Sequence, residues 1–391
     1  MSIGIGIIGC GMIAQFHARA IGDVRGAKLV ACYDKLPTAA DKLAEATGCK
    51  AYHDLDAMLA DPNVEVVTIG TPSGSHLEPA LAAARAGKHV VVEKPLEITL
   101  RRCDQIIDAC DTAGVVLSTI FQSRFHEASA ELKRAIEQGR FGRLTLGDAV
   151  VKWYRTQDYY DSGVWRGNWQ IDGGGALMNQ AIHSVDLLTW LMGPIVEVRA
   201  QTGLLAHQRI TVEDVALATV VFANGAMGII EASTAVYPGY LKRIEIHGDR
   251  GSAMMEEEDI VRWDFAKPSK RDAAIIEAMN QRKSTGGGAS DPKAIGRHGH
   301  ARQFRNVLDA VRRGTKPLID GHKGRRSVEI ILAIYKAAET GKAVKLPLPS
   351  APVLKVRKAG RAANWPTNCS CVFQRTTLFS SPFGRGKDVP T

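Results

Sequence analysis

The chain has 391 residues, of which 45% are hydrophobic and 23% charged, enough for two domains with buried cores. No apolar run approaches the ~20 residues of a membrane span, so no membrane partner is expected. The formal charge of +9 sits mostly at one end: residues 351–391 hold seven basic side chains (Lys355, Arg357, Lys358, Arg361, Arg375, Arg385, Lys387) against Asp388, leaving +3 for residues 1–350 and little reason to expect nucleic acid.

The chain opens on an apolar run, residues 3–8, that ends at Gly9. Helical spacing follows through Ile13, Phe16, Ala20 and Ile21, then a strand at Leu29–Tyr33 closed by Asp34. A helix is expected around 38–47, a strand at 64–70, a helix around 76–86, a strand at 89–92, a helix at 99–113 and a strand at 115–120. This alternation implies a parallel sheet covered on both faces, a Rossmann-type domain over residues 1–122.

Beyond Gln122 the rhythm changes. A helix is expected at 126–139, and alternating segments at 144–153, 195–203, 215–222, 226–234, 241–247 and 252–264. Asn224-Gly225 marks a hairpin. With helices at 176–192, 300–313 and 325–340, residues 123–349 read as a second domain on a mostly antiparallel sheet, giving a chain that is α/β plus α+β. Residues 266–299, polar and containing Gly286-Gly287-Gly288, read as a surface excursion, and residues 350–391 as a disordered basic tail. The cysteines (Cys10, Cys32, Cys49, Cys103, Cys110, Cys369, Cys371) lack paired metal-ligand spacing. No metal is therefore expected. With no room for a signal peptide before the first strand, the expected location is the cytoplasm.

Gly9-x-Gly11-x-x-Ala14 follows the first strand and opens a helix. The first glycine permits the tight turn and the second lets the backbone approach a pyrophosphate. The alanine keeps helix and strand close, and the helix N-terminus faces the phosphates. Asp34, twenty residues beyond Ala14, is placed to accept from a ribose hydroxyl and to repel a 2′-phosphate, which favours NAD over NADP.

Three further segments follow in order: Thr71-Pro72-Ser73 with His76, Glu93-Lys94-Pro95, and Gly173-Gly174-Gly175 leading to Asn179, His183 and Asp186. Later come His300-x-x-Gln303-Phe304, Gly321 to Arg325, Ala333-Ile334-Tyr335 and Leu346-Pro347-Leu348. Together with the N-terminus they resemble the Gfo/Idh/MocA oxidoreductases, the inositol dehydrogenase and glucose–fructose oxidoreductase type. The resemblance spans about residues 3–349. It implies a C-terminal α/β domain with a large, open, mostly antiparallel sheet, a substrate cleft between that domain and the Rossmann domain, and a sheet that joins copies into a homodimer or homotetramer.

Such an enzyme must remove a proton from a sugar or polyol hydroxyl while hydride passes to nicotinamide. It needs a base and a positive charge on the developing alkoxide. Lys94, at the carboxyl end of a buried strand, suits the charge, and Pro95 is expected on a cis bond as in relatives. His183 is the candidate base, with Asn179 and Trp190 expected on the same helical face. The resemblance implies cofactor contacts from Gly9, Gly11, Met12, Ile13, Asp34, Thr71, Pro72, His76, Glu93, Lys94, Trp165 and Arg166. Substrate contacts are expected from Lys94, Arg124, Lys152, Asn179 and His183, with Tyr159, Tyr160 and His300 as further candidates. The glycines at 173–175 are expected to let that segment approach a ligand.

One departure stands out. Relatives often carry aspartate four residues before the histidine, and this chain has Asn179. An amide cannot take a proton, so the assignment of the base between His183 and Lys94 is open. Two other functions fit the same residues: an NAD-dependent glycoside hydrolase that works by transient oxidation and elimination, and a non-catalytic dinucleotide or sugar sensor.

Overall fold

A computed structural model describes residues 2–163, 165–281, 288–289, 298–349 and 352. The expected basic tail and the triple glycine at 286–288, except Gly288, lie outside the described residues. Among the described residues no helix is long and apolar enough to cross a membrane.

The N-terminal half is a six-stranded parallel sheet in the order β3-β2-β1-β4-β5-β6. Its strands are β1 (Ile3–Ile8), β2 (Ala27–Tyr33), β3 (Lys50–Tyr52), β4 (Val66–Ile69), β5 (His89–Val92) and β6 (Leu117–Thr119). Helices α1 (Met12–Gly22), α2 (Pro37–Thr47), α3 (Leu55–Ala60), α4 (Leu77–Arg85) and α5 (Leu100–Ala113) connect them. Ile5, Ile7, Val66, Val67, Val90 and Val91 are buried on both faces, as a sheet flanked by helices requires. The short β3 and α3 had no counterpart among the expected elements. At three and six residues they are too brief for periodicity to register.

The second sheet has eight strands in the order β13-β12-β11-β7-β10-β9-β8-β14. After α6 (Glu127–Glu137) come β7 (Leu144–Lys152) and α7 (Gln157–Asp161). Next are a π-helical turn (Ala176–Ala181) and α8 (Ile182–Met192). The remaining strands are β8 (Ile195–Gly203), β9 (Val215–Phe222), β10 (Met227–Ser233), β11 (Arg243–Gly248), β12 (Gly251–Glu256), β13 (Asp259–Phe265) and β14 (Val344–Lys345). All pairings are antiparallel except β7 with β10. Gly225 makes the β9–β10 hairpin at φ +85°, and Asn224 Oδ1 accepts from the Ala226 amide. One face packs on α8 and α11 (Gly321–Thr340) through Ala149, Val151, Ala218, Val220, Ile230 and Ala232. The other exposes Leu146, Leu217, Met227 and Ile229.

Two elements depart from the expected layout. Residues 266–299 are not all excursion: α9 (Lys270–Asn280) starts on a capping box in which Ser269 and Asp272 satisfy each other's backbone amides. The helix α10 (His298–Arg313) follows the second sheet in sequence, yet Ala301, Phe304, Val307 and Leu308 pack into the first sheet's core with Ala14, Ala20 and Ile21. The chain thus returns to the Rossmann half and carries His300 to its cleft.

Candidate active site

A cleft of about 1260 Å³ runs from the carboxyl ends of β1, β2, β4 and β5 to the edge of the second sheet. At its first end Gly9 turns at φ +92° and donates to the Tyr33 carbonyl at 2.8 Å. A Cβ on Gly9 would lie 2.8 Å from the backbone of Gly70 and Thr71, so the two turns touch because residue 9 has no side chain. A Cβ on Gly11 would meet nothing within 4 Å and would point into open space. Gly11 is also the N-cap of α1, and no side chain caps that helix. An open, uncapped helix start suits a pyrophosphate. Asp34 is anchored by the amides of Cys10 at 2.7 Å and Leu36 at 2.8 Å, and lines the cleft with Met12, Ile13, Thr71 and Pro72. These residues fit a dinucleotide with free ribose hydroxyls.

The centre of the cleft holds Glu93 and Lys94, with Lys94–Pro95 cis. Lys94 Nζ donates to the main-chain carbonyl of Asn179 at 2.6 Å. Burial lowers the lysine's pKa; Glu93 and Asp172 oppose that fall, while Arg166 and Arg155 add to it. Glu93 accepts from His17 Nε2 at 2.8 Å and from the Lys94 amide at 3.0 Å, and His300 Nε2 stands 4.0 Å away. Burial alone would raise this carboxyl. The His17 hydrogen bond and the facing His17, His300 and Lys94 outweigh it and bring it to about 2. A permanent anion therefore lies behind Lys94.

His183 faces the same space. Burial first, then the Lys94 charge, push its pKa well below the ordinary value. The shift favours the neutral ring, which keeps one nitrogen unprotonated. Its Nδ1 is buried without a hydrogen-bond partner, and Phe121 meets the ring edge-on at 5.7 Å. Nearby, Arg166 lies over the rings of Trp165 (4.2 Å) and Tyr159 (4.3 Å) and donates to the Tyr159 hydroxyl at 2.7 Å.

Of the expected cofactor residues, all but His76 line the cleft. His76 is buried with its ring nitrogens 2.9 Å from the Pro95 carbonyl and 3.0 Å from the Thr71 carbonyl. It ties together two loops that do line the cleft. Of the expected substrate residues, Lys94, Asn179 and His183 meet there, and Arg124 and Lys152 do not. Arg124 is buried in a two-pronged bond to Asp186 at 2.7 and 2.6 Å. Lys152 pairs with Glu231 at 3.3 Å on the second sheet. Tyr159 lines the cleft, whereas Tyr160 is buried with its hydroxyl on Thr234.

Trp190 also lies away from the cleft, against Arg124 and Lys133: it follows His183 by two turns of α8, about 10 Å further along the helix axis. The glycine run approaches protein and not ligand: a Cβ on Gly175 would stand 1.8 Å from the Glu213 carbonyl.

Several cleft residues escaped sequence reasoning: Gln122, His126, Trp153, Arg155, Gln180, Lys242, Glu257 and Glu258. They come from loops and strand ends with no motif, and only the folded topology gathers them. His126 is 5% exposed, burial lowers its pKa to about 3, Nε2 faces Glu258 Oε1 at 3.5 Å, and Nδ1 has no hydrogen-bond partner among the described residues.

A Rossmann sheet with an open glycine turn, an acid at the end of its second strand and a half-buried lysine and histidine in one cleft defines a nicotinamide-dependent oxidoreductase. The comparisons agree. Residues 3–121 match the oxidoreductase family with an NAD-binding Rossmann fold, and residues 129–254 match the GFO/IDH/MocA C-terminal domain. The chain belongs to the Gfo/Idh/MocA oxidoreductase family, and its named relatives, inositol, levoglucosan and other sugar dehydrogenases, act on CH–OH groups with NAD(H). It is 29% identical to the myo-inositol 2-dehydrogenase of Thermotoga maritima, over 88% of this chain and 98% of that one. It is 32% identical to the inositol 2-dehydrogenase of Acidothermus cellulolyticus, over 67% and 75%. Its fold matches the WlbA dehydrogenase of Bordetella pertussis in complex with NADH and UDP-GlcNAcA, with TM-score 0.80, 38% identity, and 89% and 98% coverage.

Proposed function

We propose that the protein passes hydride between NAD and a hydroxyl or keto carbon of a sugar, polyol or sugar derivative, and that acidic sugar nucleotides are the class to test first. One observation carries the substrate class. Gln122 Oε1, His126 Nδ1, Trp153 Nε1 and His183 Nδ1 are buried and have no hydrogen-bond partner among the described residues, and all four residues line the same cleft. Each such group costs about 1–3 kcal/mol unless a ligand answers it. An acceptor, a donor and two imidazoles call for a ligand whose groups both donate and accept, as sugar hydroxyls do. Arg166 lines this region, and among the described residues no carboxylate lies within ion-pair distance of it, which favours an acidic substituent. The WlbA neighbour, crystallised with UDP-GlcNAcA, supports the same class.

Bound NAD supplies the hydride acceptor. Lys94 holds the reacting oxygen through Nζ and stabilises its negative charge as the proton leaves. Neutral His183 takes that proton on its unprotonated ring nitrogen. Gly11, Asp34, Thr71 and Pro72 hold the dinucleotide, and Arg166, stacked between Trp165 and Tyr159, borders the substrate.

The test is a spectrophotometric assay with NAD⁺ and a panel of inositols, free sugars, uronic acids and UDP-linked uronic acids. We expect reduction of NAD⁺ by at least one acidic sugar, with kcat lowered about 10²- to 10⁴-fold in His183→Ala. Tight NAD⁺ binding without turnover across the panel would refute the reading.

We also infer a homo-oligomer joined through the open sheet face. Leu217, Met227 and Ile229 are 49%, 62% and 39% exposed on adjacent strands, an apolar patch that calls for cover.

A further inference from the structure

The substitution of asparagine at position 179 leaves the reaction centre without the carboxylate that its lysine and histidine would be expected to have beside them. The folded chain brings one from seven residues upstream. Asp172 is 2% exposed, in the turn that precedes the glycine run. Its Oδ2 accepts from the Gly167 amide at 2.9 Å and its Oδ1 from the Asn179 side-chain amide at 2.5 Å. The main-chain carbonyl of the same Asn179 accepts from Lys94 Nζ. Asn179 Oδ1 in turn accepts from Gln180, which also donates to the Tyr159 hydroxyl. Asp172 and Lys94 thus hold the two ends of one residue, Asn179, by its side-chain amide and its main-chain carbonyl.

A carboxylate buried this deeply is costly unless nearby charge compensates it. Burial raises its pKa to about 6, although the Gly167 and Asn179 bonds and the Lys94 and Arg166 charges pull the other way. The charges facing Lys94 are Glu93 and Asp172, negative, and Arg166 and Arg155, positive, with neutral His183 alongside. Among the described residues that face it, two cations crowd the lysine and two anions offset them.

We propose that Asp172 is a positioning residue of the reaction centre: it holds Asn179, whose carbonyl receives Lys94 Nζ, and supplies the second anion facing that lysine. The inference rests on the dehydrogenase reading for its effect on rate, but not for its effect on Lys94 itself. Lysine labelled with ¹³C at the ε-carbon, in protein saturated with NAD⁺, reports the titration of Lys94, assigned by the signal lost in Lys94→Met. Asp172→Asn should lower that titration by about one pH unit, in the range for loss of a nearby opposite charge. The alkaline limb of kcat should move down with it for whichever panel sugar turns over. The charge-exchanged variant Asp172→Asn/Asn179→Asp should return the titration towards the parent value, which a purely structural role would not do. If Asp172→Asn does not fold, Asp172→Ser serves as a smaller neutral replacement. An unchanged Lys94 titration in a neutral variant that still binds NAD⁺ overturns the proposal, whether or not any sugar is oxidised. A lowered titration with no turnover in the parent leaves this proposal standing and removes the dehydrogenase reading instead.

Discussion

Arg124 separates two kinds of argument, because its place in the sequence suggested substrate contact and the fold gives it a structural partner. Its guanidinium forms two bonds of 2.7 and 2.6 Å to Asp186, with side-chain exposures of 6% and 1%. Ser327 Oγ adds a third bond to the aspartate at 3.2 Å, and the Trp190 ring lies 5.5 Å from the guanidinium carbon. Arg124→Ala would leave Asp186 buried with a single hydroxyl donor. Breaking a buried pair from one side costs about 3–5 kcal/mol. At roughly 2–4 °C per kcal/mol for a domain of this size, the melting temperature should fall on the order of 10 °C. Removing both charges in Arg124→Met/Asp186→Leu should recover much of that loss, because the larger part of the penalty is the stranded carboxylate and not the lost attraction. Thermal and urea unfolding, followed beside KM for the active sugar, measure both sides. If Arg124→Ala melts within about 1 kcal/mol of the parent while KM rises tenfold, the arginine reaches the substrate and the burial argument is wrong.

Gly11→Ala is the converse case. The new methyl meets no atom within 4 Å, so the fold should keep its stability to within about 0.5 kcal/mol, while NAD⁺ affinity falls at least tenfold, about 1.4 kcal/mol. Calorimetric titration that finds unchanged NAD⁺ affinity would remove the pyrophosphate from this turn. On the open sheet face, Met227→Lys should shift the sedimenting species from a multiple of the 42.2 kDa chain to the monomer. A monomeric parent protein would end the case for that interface.

The first half of the molecule was legible because its strands are buried on both faces and read as plain apolar runs between amphipathic helices. Gly9, Gly11, Asp34 and Lys94 each close a strand at its carboxyl end, and parallel topology then requires them to share one cleft. The second half was legible as strands, but its site was not. Lys152 and Arg124 looked comparable to Lys94 in sequence, a cation near a strand end. What separates them is which neighbours the sheet order supplies: Glu231 from β10 for Lys152, and Asp186 from α8 for Arg124. His126, Gln122 and Trp153 carry no pattern, since an unpartnered buried polar atom exists only once the packing around it is known.

The same reasoning explains why position 179 misled. Helical spacing treats residues 176–192 as one regular helix, in which a carboxylate four residues before His183 is present or absent. The chain instead begins with a π-helical turn whose entry is pinned by Glu213, which accepts the amides of Gly175 and Leu177 and the hydroxyl of Tyr335. That pinning turns the Asn179 carbonyl towards Lys94 and its amide towards Asp172. It also accounts for the glycines, since any Cβ on Gly175 would strike the Glu213 carbonyl. An asparagine suits this place because its amide can donate to a carboxylate that an aspartate would repel. The loss of charge at 179 and the burial of charge at 172 are therefore one feature, and a sequence read position by position registers only the loss.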